Sequence, residues 1–138
     1  MPEVTVNVTR PDLDIQEDIH RLMTDYPPLS HDKHRVHITV DNGLVTISGY
    51  TKAPPTRNYL VRSVSQVEGV KSVDSADLYD DETIRLDVAR VAPMGVFVNV
   101  EYGALILAGG VPEGTTVEEL VRQVGRVPGV HRVVTTFN

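Results

Sequence analysis

The feature that most limits how this chain can fold is a phrase written twice. Val40 to Gly49 reads V-D-N-G-L-V-T-I-S-G, and Val100 to Gly109 reads V-E-Y-G-A-L-I-L-A-G. One offset of 60 lays Val36 on Val96, Val40 on Val100, Gly43 on Gly103, Gly49 on Gly109 and Leu60-Val61-Arg62 on Leu120-Val121-Arg122. The same offset lays Val64 on Val124, Val67 on Val127, Gly69-Val70 on Gly129-Val130 and Val73 on Val133. Roughly a dozen identities fall without a gap in about forty positions. Chance supplies about two or three, so the chain is an internal duplication. Sharing 138 residues, each copy sits near the lower limit for a self-sufficient core, and the two are expected to lean on each other.

Each copy opens its aligned part with a hairpin. Asn42-Gly43 is a two-residue type I′ turn, in which both central residues need positive φ. That turn sets Val40 against Val45, Ile38 against Ile47 and Val36 against Gly49. Val36, Ile38, Val40, Val45 and Ile47 then share one apolar face, and His37, Thr39, Thr46 and Ser48 the polar one. In the second copy Val96, Val98, Val100, Leu105 and Leu107 repeat the apolar face, around a Tyr102-Gly103 turn that is poorer because tyrosine resists positive φ. A helix follows. Thr116 and Glu119 have capping-box spacing ahead of the stripe Leu120, Val121, Val124 and Val127. Thr56 is the matching cap for Leu60, Val61, Val64 and Val67, after Pro54-Pro55 break the strand. Gly69 and Gly129 are placed as helix-ending residues, with strands over 71–78 and 131–137 beyond them. A shorter helix precedes each hairpin: Ile15, Ile19, Leu22 and Met23 recur at helical spacing behind Asp12 or Asp14 as a cap, and Ile84, Val88 and Val91 recur ahead of Pro93. The fold class is α+β, with the order α-β-β-α-β written twice and each three-stranded sheet covered by helices. The expected division is an N-terminal arm over 1–11, a first unit over 12–79 and a second over 80–138.

That order, with V-H-I-T-V-D-N-G-L-V-T-I-S-G and V-S-Q-V-E-G-V-K-S-V in the first copy, resembles the BON (bacterial osmotic-shock and nodulation) domain. The second copy carries the weaker forms V-F-V-N-V-E-Y-G-A-L-I-L-A-G and V-G-R-V-P-G-V-H-R-V. The resemblance runs from about Asp12 to the end and implies a non-enzymatic module, commonly in tandem, tied to envelope stress and to phospholipid membranes. Some members of the family bind potassium. The motif's glycines and valines are turn and core residues and carry no chemistry themselves.

Composition narrows the function classes. A net charge of −6 does not steer a chain toward phosphate polyanions, so nucleic-acid binding is not expected. Residues 1–33 hold seven acidic and three basic side chains while 34–78 hold four and five, which puts any anion-seeking surface on the first hairpin-helix unit. There is no cysteine, hence no disulfide and no thiolate site. No apolar run approaches the ~18 residues of a membrane span, and the first residues lack the basic and apolar regions of a secretory signal. The expected location is cytoplasmic.

Several stretches invite a site. His31, His34 and His37 in H-D-K-H-R-V-H suit neither one helix face nor one strand face, so they read as a solvated loop running into a strand rather than as zinc ligands. G-G-V-P-E-G lacks the Lys-Ser/Thr of a phosphate loop, and Glu113, Glu118 and Glu119 crowd the helix start behind it with negative charge. No nucleophile, base and acid stand out as a catalytic set, and Asp80-Asp81-Glu82 serve a helix start. An enzyme, a cofactor and a metal are not expected. Arg57, Arg62 and Lys71 in the first unit, and Arg122, Arg126 and Arg132 in the second, are candidate contacts for anionic lipid head groups, at about 1 kcal/mol each, although interleaved glutamates also fit an ordinary solvated helix face.

The most informative anomaly is on the second sheet. Where the first copy has His37, Leu44, Thr46 and Ser48, the second has Phe97, Ala104, Ile106 and Ala108, with Val134 joining from the last strand. A sheet apolar on both faces is normally covered on both. The expected cover is the other unit, the N-terminal arm whose Val4, Val6 and Val8 alternate like a strand, or another molecule. The expected function is that of a non-catalytic binding or scaffolding protein associating peripherally with phospholipid membranes in a stress response. A soluble protein-interaction or oligomerisation module is the alternative, with small-cation binding behind both. Phospholipid head groups or another protein are the expected partners, and a homo-oligomer is expected.

Overall fold

A computed structural model of the chain describes residues 9–138. Val4, Val6 and Val8, read above as a strand of the arm, lie outside the described residues. The first unit comprises α1 (Asp12–Asp25), α2 (Pro27–Asp32), a 3-10 turn (Lys33–Arg35), β1 (Val36–Asp41), β2 (Leu44–Thr51), α3 (Pro54–Ser65) and β3 (Ser72–Asp80). The second comprises α4 (Asp81–Val91), β4 (Val96–Glu101), β5 (Ala104–Gly109), α5 (Val117–Val124) and β6 (Arg132–Phe137). The fold is α+β with two repeated units, each a three-stranded sheet under helices. The sheets run β1-β2-β3 and β4-β5-β6. The tight turns make β1/β2 and β4/β5 antiparallel, and the helical crossovers make β2/β3 and β5/β6 parallel.

The hairpin register is the one the turn demands: Val40 pairs with Val45, Ile38 with Ile47 and Val36 with Gly49. Both turns hold positive φ at both central residues, with Asn42 at 49°, Gly43 at 80°, Tyr102 at 47° and Gly103 at 79°. Tyrosine therefore accepts the left-handed conformation here. Valine alternation then builds two cores. Ile15, Ile19, Leu29, Ile47, Leu60 and Leu78 are buried in one. Ile84, Val88, Leu105, Leu107, Leu120 and Val124 are buried in the other. At about 1.5–3 kcal/mol for each large aliphatic side chain removed from water, these stripes are what hold the helices to the sheets.

The helix ends depart from expectation in four places, the first three of them in α3 and α5. α3 begins at Pro54, two residues before Thr56, because a proline needs no N–H partner at the first helical positions. Thr56 is buried in the first turn and caps nothing. α3 and α5 stop at Ser65 and Val124, short of Gly69 and Gly129. Two further turns, Val67 N–H to Val64 and Val70 N–H to Val67, fold Val67 and Val70 back onto the core before the strand begins. The same pair of turns recurs at Val127 and Val130. In α5 the Thr116 hydroxyl does cap, accepting from the Glu119 N–H at 3.2 Å.

The expected cap of α1, Asp12 or Asp14, is not one: the helix has Pro11 at its N-cap and no side-chain cap bond, and Asp14 lies in the first turn behind Asp12. The Asp12 carboxylate reaches the hairpin turn instead, accepting from the N–H groups of Asn42 at 2.9 Å and Gly43 at 3.1 Å. Asp81 does the same in the second unit, accepting from Tyr102 at 2.7 Å and Gly103 at 3.1 Å. In each unit one carboxylate thus fastens the first helix to the tip of the hairpin.

Candidate functional site

The face of β4-β5-β6 turned away from the helices presents three cross-strand rows. Pairing places Glu101, Ala104 and Arg132 in one row, Asn99, Ile106 and Val134 in the next, and Phe97, Ala108 and Thr136 in the third. Phe97 is 70% exposed, and Ala104, Ile106, Ala108 and Val134 are partly exposed. The first unit, expected as one cover for this face, does not lie over it. Its own outer face is polar in the matching rows apart from the exposed Leu44, and carries Asp41, Asp74 and Asp77, all exposed. One sheet therefore presents acid and hydroxyl to water, and the other presents aliphatic and aromatic carbon.

The units meet elsewhere, at the turn end of the second hairpin, and three tyrosines make the joint. The Tyr50 hydroxyl donates to the Gly129 carbonyl at 2.7 Å, and its ring lies against Gly103. Tyr79 lies against Gly129, where an added Cβ would sit 2.8 Å from its ring. Tyr102 reaches the other way: its hydroxyl donates to Asp32 at 2.8 Å, and Arg35 and Lys52 stand 4.9 and 5.4 Å from its ring centroid. Asp32 is 2% exposed and also accepts from the Lys52 N–H at 3.0 Å. The contacts of Tyr102 with Asp32 and Asp81 offset the cost of holding a tyrosine at positive φ.

The electrostatics of the joint follow from this packing. The Tyr102 phenol is pushed up to about 12 by burial, by its bond to Asp32 and by the charges of Asp32 and Asp81, against the opposing pull of Arg35. Burial also raises the Tyr50 phenol, helped by Tyr79 and Asp81. Asp81 is raised by burial and by Asp32, while its two backbone bonds and Lys52 pull it down.

The first unit has an equivalent end, finished differently. Lys71 lies over Gly43, where Tyr50 lies over Gly103, and Arg10 lies against Gly69, where Tyr79 lies against Gly129. Arg10 also donates to the Glu68 carbonyl at 2.9 Å and pairs with Asp18 at 2.7 Å. Aromatic rings join the units, and cations close the free end.

The candidate lipid contacts do not form one patch. Arg57 is spent on the backbone, donating to the carbonyls of Leu78 at 2.7 Å and Ser75 at 3.2 Å. Arg62, Lys71, Arg122, Arg126 and Arg132 are exposed but divided between the two units. The expected histidine loop is a short helix and a 3-10 turn: His31 lies in α2, His34 in the turn and His37 on β1. Among the described residues no group of three or more His, Cys, Asp or Glu gathers as a metal cage. The described helices include none long and apolar enough to cross a membrane.

Residues 11–76 match the family model of the BON domain. The chain carries a BON domain. That match ends inside β3, so the BON domain takes in α1 through most of the first sheet, including the Asp12 clamp and the Asn42-Gly43 turn it holds. No curated protein matches the chain. Among solved structures, the C-terminal domain of CdsD, a structural protein of the type III secretion system of Chlamydia trachomatis, superposes with a TM-score of 0.76 at 14% identity. That superposition covers 96% of this chain and 68% of the other. A second CdsD structure from the same organism aligns with a TM-score of 0.39 at 12% identity, over 90% of this chain and 91% of that one. The first superposition spans both units, so the BON domain and its repeat share a two-unit fold with that chain.

The joint and the clamps were invisible to the repeat. Asp12 and Asp81 are 69 apart, not 60, because α2 and the 3-10 turn have no counterpart in the second unit. The signal for the joint was present in the sequence: Tyr50 and Tyr102 stand where the other copy has Gly110 and Asn42.

Proposed function

We propose that the chain is a non-catalytic docking module in which the BON domain serves as a base and the BON-like second unit presents the binding face. The exposed apolar face around Phe97 and Ile106 carries this reading. A contiguous apolar sheet face bordered by polar residues marks a site of protein contact. The likeness to a fold found in a structural protein of a secretion apparatus supports a scaffolding role rather than a chemical one. A photo-crosslinking amino acid at position 106 tests it in cells. Polypeptide adducts are expected at 106 and not at Thr46, the matching position of the polar sheet, and Phe97→Asp should abolish them. Equal adduct yields from 106 and 46 would remove the proposal.

Peripheral association with anionic phospholipid, in a stress response, is the second reading, favoured by the BON match and by exposed Arg62, Arg122 and Arg126. Flotation with vesicles containing phosphatidylglycerol should then deplete the chain from the aqueous layer, and Arg62→Glu combined with Arg122→Glu should return it. Absence from both anionic and neutral floated fractions rules this reading out.

A further inference from the structure

The open face of the second unit is self-complementary, and we infer that its occupant is a second copy of the same face, packed sheet on sheet about a two-fold axis parallel to β5. This rests on the docking reading above and names its partner.

The charges decide the geometry. Glu101 and Arg132 are the charged residues in the three rows, both exposed, and they stand on opposite edges of a single row with Ala104 between them. Among the described residues the ion pairs join Asp18 to Arg10 and Arg21, and Asp87 to Arg90, so neither Glu101 nor Arg132 is engaged. A two-fold along the strands keeps each row at its own height and exchanges the edges. It sets Glu101 of one copy against Arg132 of the other, twice. Stacked sheets lie about 10 Å apart, a gap that a glutamate and an arginine bridge end to end. A two-fold across the strands lays Glu101 over the apolar row of Phe97 and strands both charges, and a shifted register does the same.

The rest of the face is prepared for loss of water. The Thr136 hydroxyl already donates to the Leu107 carbonyl at 3.3 Å, and the Asn99 side-chain oxygen accepts from the Val100 N–H at 3.0 Å. Drying these groups leaves those bonds in place, so the usual penalty for burying unpaired polar atoms is reduced. On the axis Ile106 meets Ile106, and the small Ala104 and Ala108 on either side let the two backbones approach. The first unit offers no rival partner for this face: Asp41, Asp74 and Asp77 make its outer face one that repels a copy of itself and cannot dry the aliphatic rows.

Three strands by three rows is smaller than the about 800 Å² per partner of a standard interface, so a weak, concentration-dependent dimer is expected. Sedimentation velocity from low to high micromolar concentration should show a monomer–dimer equilibrium. Glu101→Arg alone and Arg132→Glu alone each place like charges together twice, and should weaken the dimer by about 10- to 100-fold. The double variant Glu101→Arg/Arg132→Glu restores both pairs and should return to within about threefold of wild type. Ile106→Asp should be monomeric throughout. Far-UV circular dichroism melts unchanged from wild type show that the two surface charge variants remain folded. A wild type that stays monomeric, or a double variant no tighter than either single, overturns the inference. A monomeric wild type whose position 106 still crosslinks to another polypeptide overturns the second copy and leaves docking standing.

Discussion

Alanine at two equivalent glycines separates the cost of a turn from the cost of the joint. Gly43 and Gly103 have nearly the same φ, 80° and 79°. An added Cβ meets a backbone carbonyl in both, Gly69 oxygen at 2.7 Å in the first unit and Gly129 oxygen at 2.8 Å in the second. The left-handed penalty of about 1–2 kcal/mol and the carbonyl contact are therefore shared. The next neighbour differs. At Gly43 it is the Lys71 side chain, Cγ at 3.1 Å, which can swing into water. At Gly103 the Cβ would overlap the Tyr50 ring, which is held by its bond to Gly129 and lies 5.9 Å from Tyr79 and 5.4 Å from His131 by ring centroids. Displacing that ring forfeits about 1 kcal/mol of hydrogen bond and about 1 kcal/mol of aromatic packing. Gly103→Ala should therefore cost about 2 kcal/mol more than Gly43→Ala in urea unfolding followed by far-UV circular dichroism. Equal losses, within about 0.5 kcal/mol, would show that Tyr50 does not wedge the units together and would refute the joint described here.

Three further outcomes follow from the same geometry. Asp81→Ala strips a nearly buried acceptor from two backbone N–H groups and should cost about 2–3 kcal/mol. Because burial raises the Asp81 carboxyl, the folded chain takes up its proton before the unfolded chain does. Its contribution to stability therefore falls as pH rises through the window above its ordinary 3.8, and Asp81→Asn should flatten that part of the urea-midpoint profile. Tyr102 keeps its proton to about 12 when folded, so stability should drain away between pH 10 and 12; Tyr102→Phe should lessen that decline, erase the latest phenol transition at 295 nm and cost about 1–2 kcal/mol. Phe97→Ser, on an exposed side chain, should leave the melting curve within about 0.5 kcal/mol of wild type while removing crosslinks from position 106.

Hairpins, sheets and core stripes were legible because valine spacing and paired glycines are local, repeated signals that a single offset reveals. Val40 with Val45 and Ile38 with Ile47 needed only the turn length. The α2 segment was not legible: Pro27-Pro28 and three histidines look like a loop, and only packing of Leu29 into the core makes it a helix. The clamps and the joint were hidden for a different reason. Asp12 and Asp81 act on residues 30 and 21 positions ahead, and helix-start acids have a nearer, commoner use. The tyrosines act between copies, so comparing the copies with each other discards them as differences. The outer face was legible as composition, through Phe97, Ile106 and Val134 in place of polar residues; that the first unit leaves it open was not, since alternation says which side a residue takes and nothing about what stands opposite.

β3 ends at Asp80 and α4 begins at Asp81, with Asp80 itself capping the new helix by accepting from the Thr83 N–H at 2.9 Å. No slack separates the two halves. The two halves are thus joined without a spacer, and a few glycines inserted between Asp80 and Asp81 would leave the tyrosine contacts, Tyr50 to Gly129 and Tyr102 to Asp32, to hold them together.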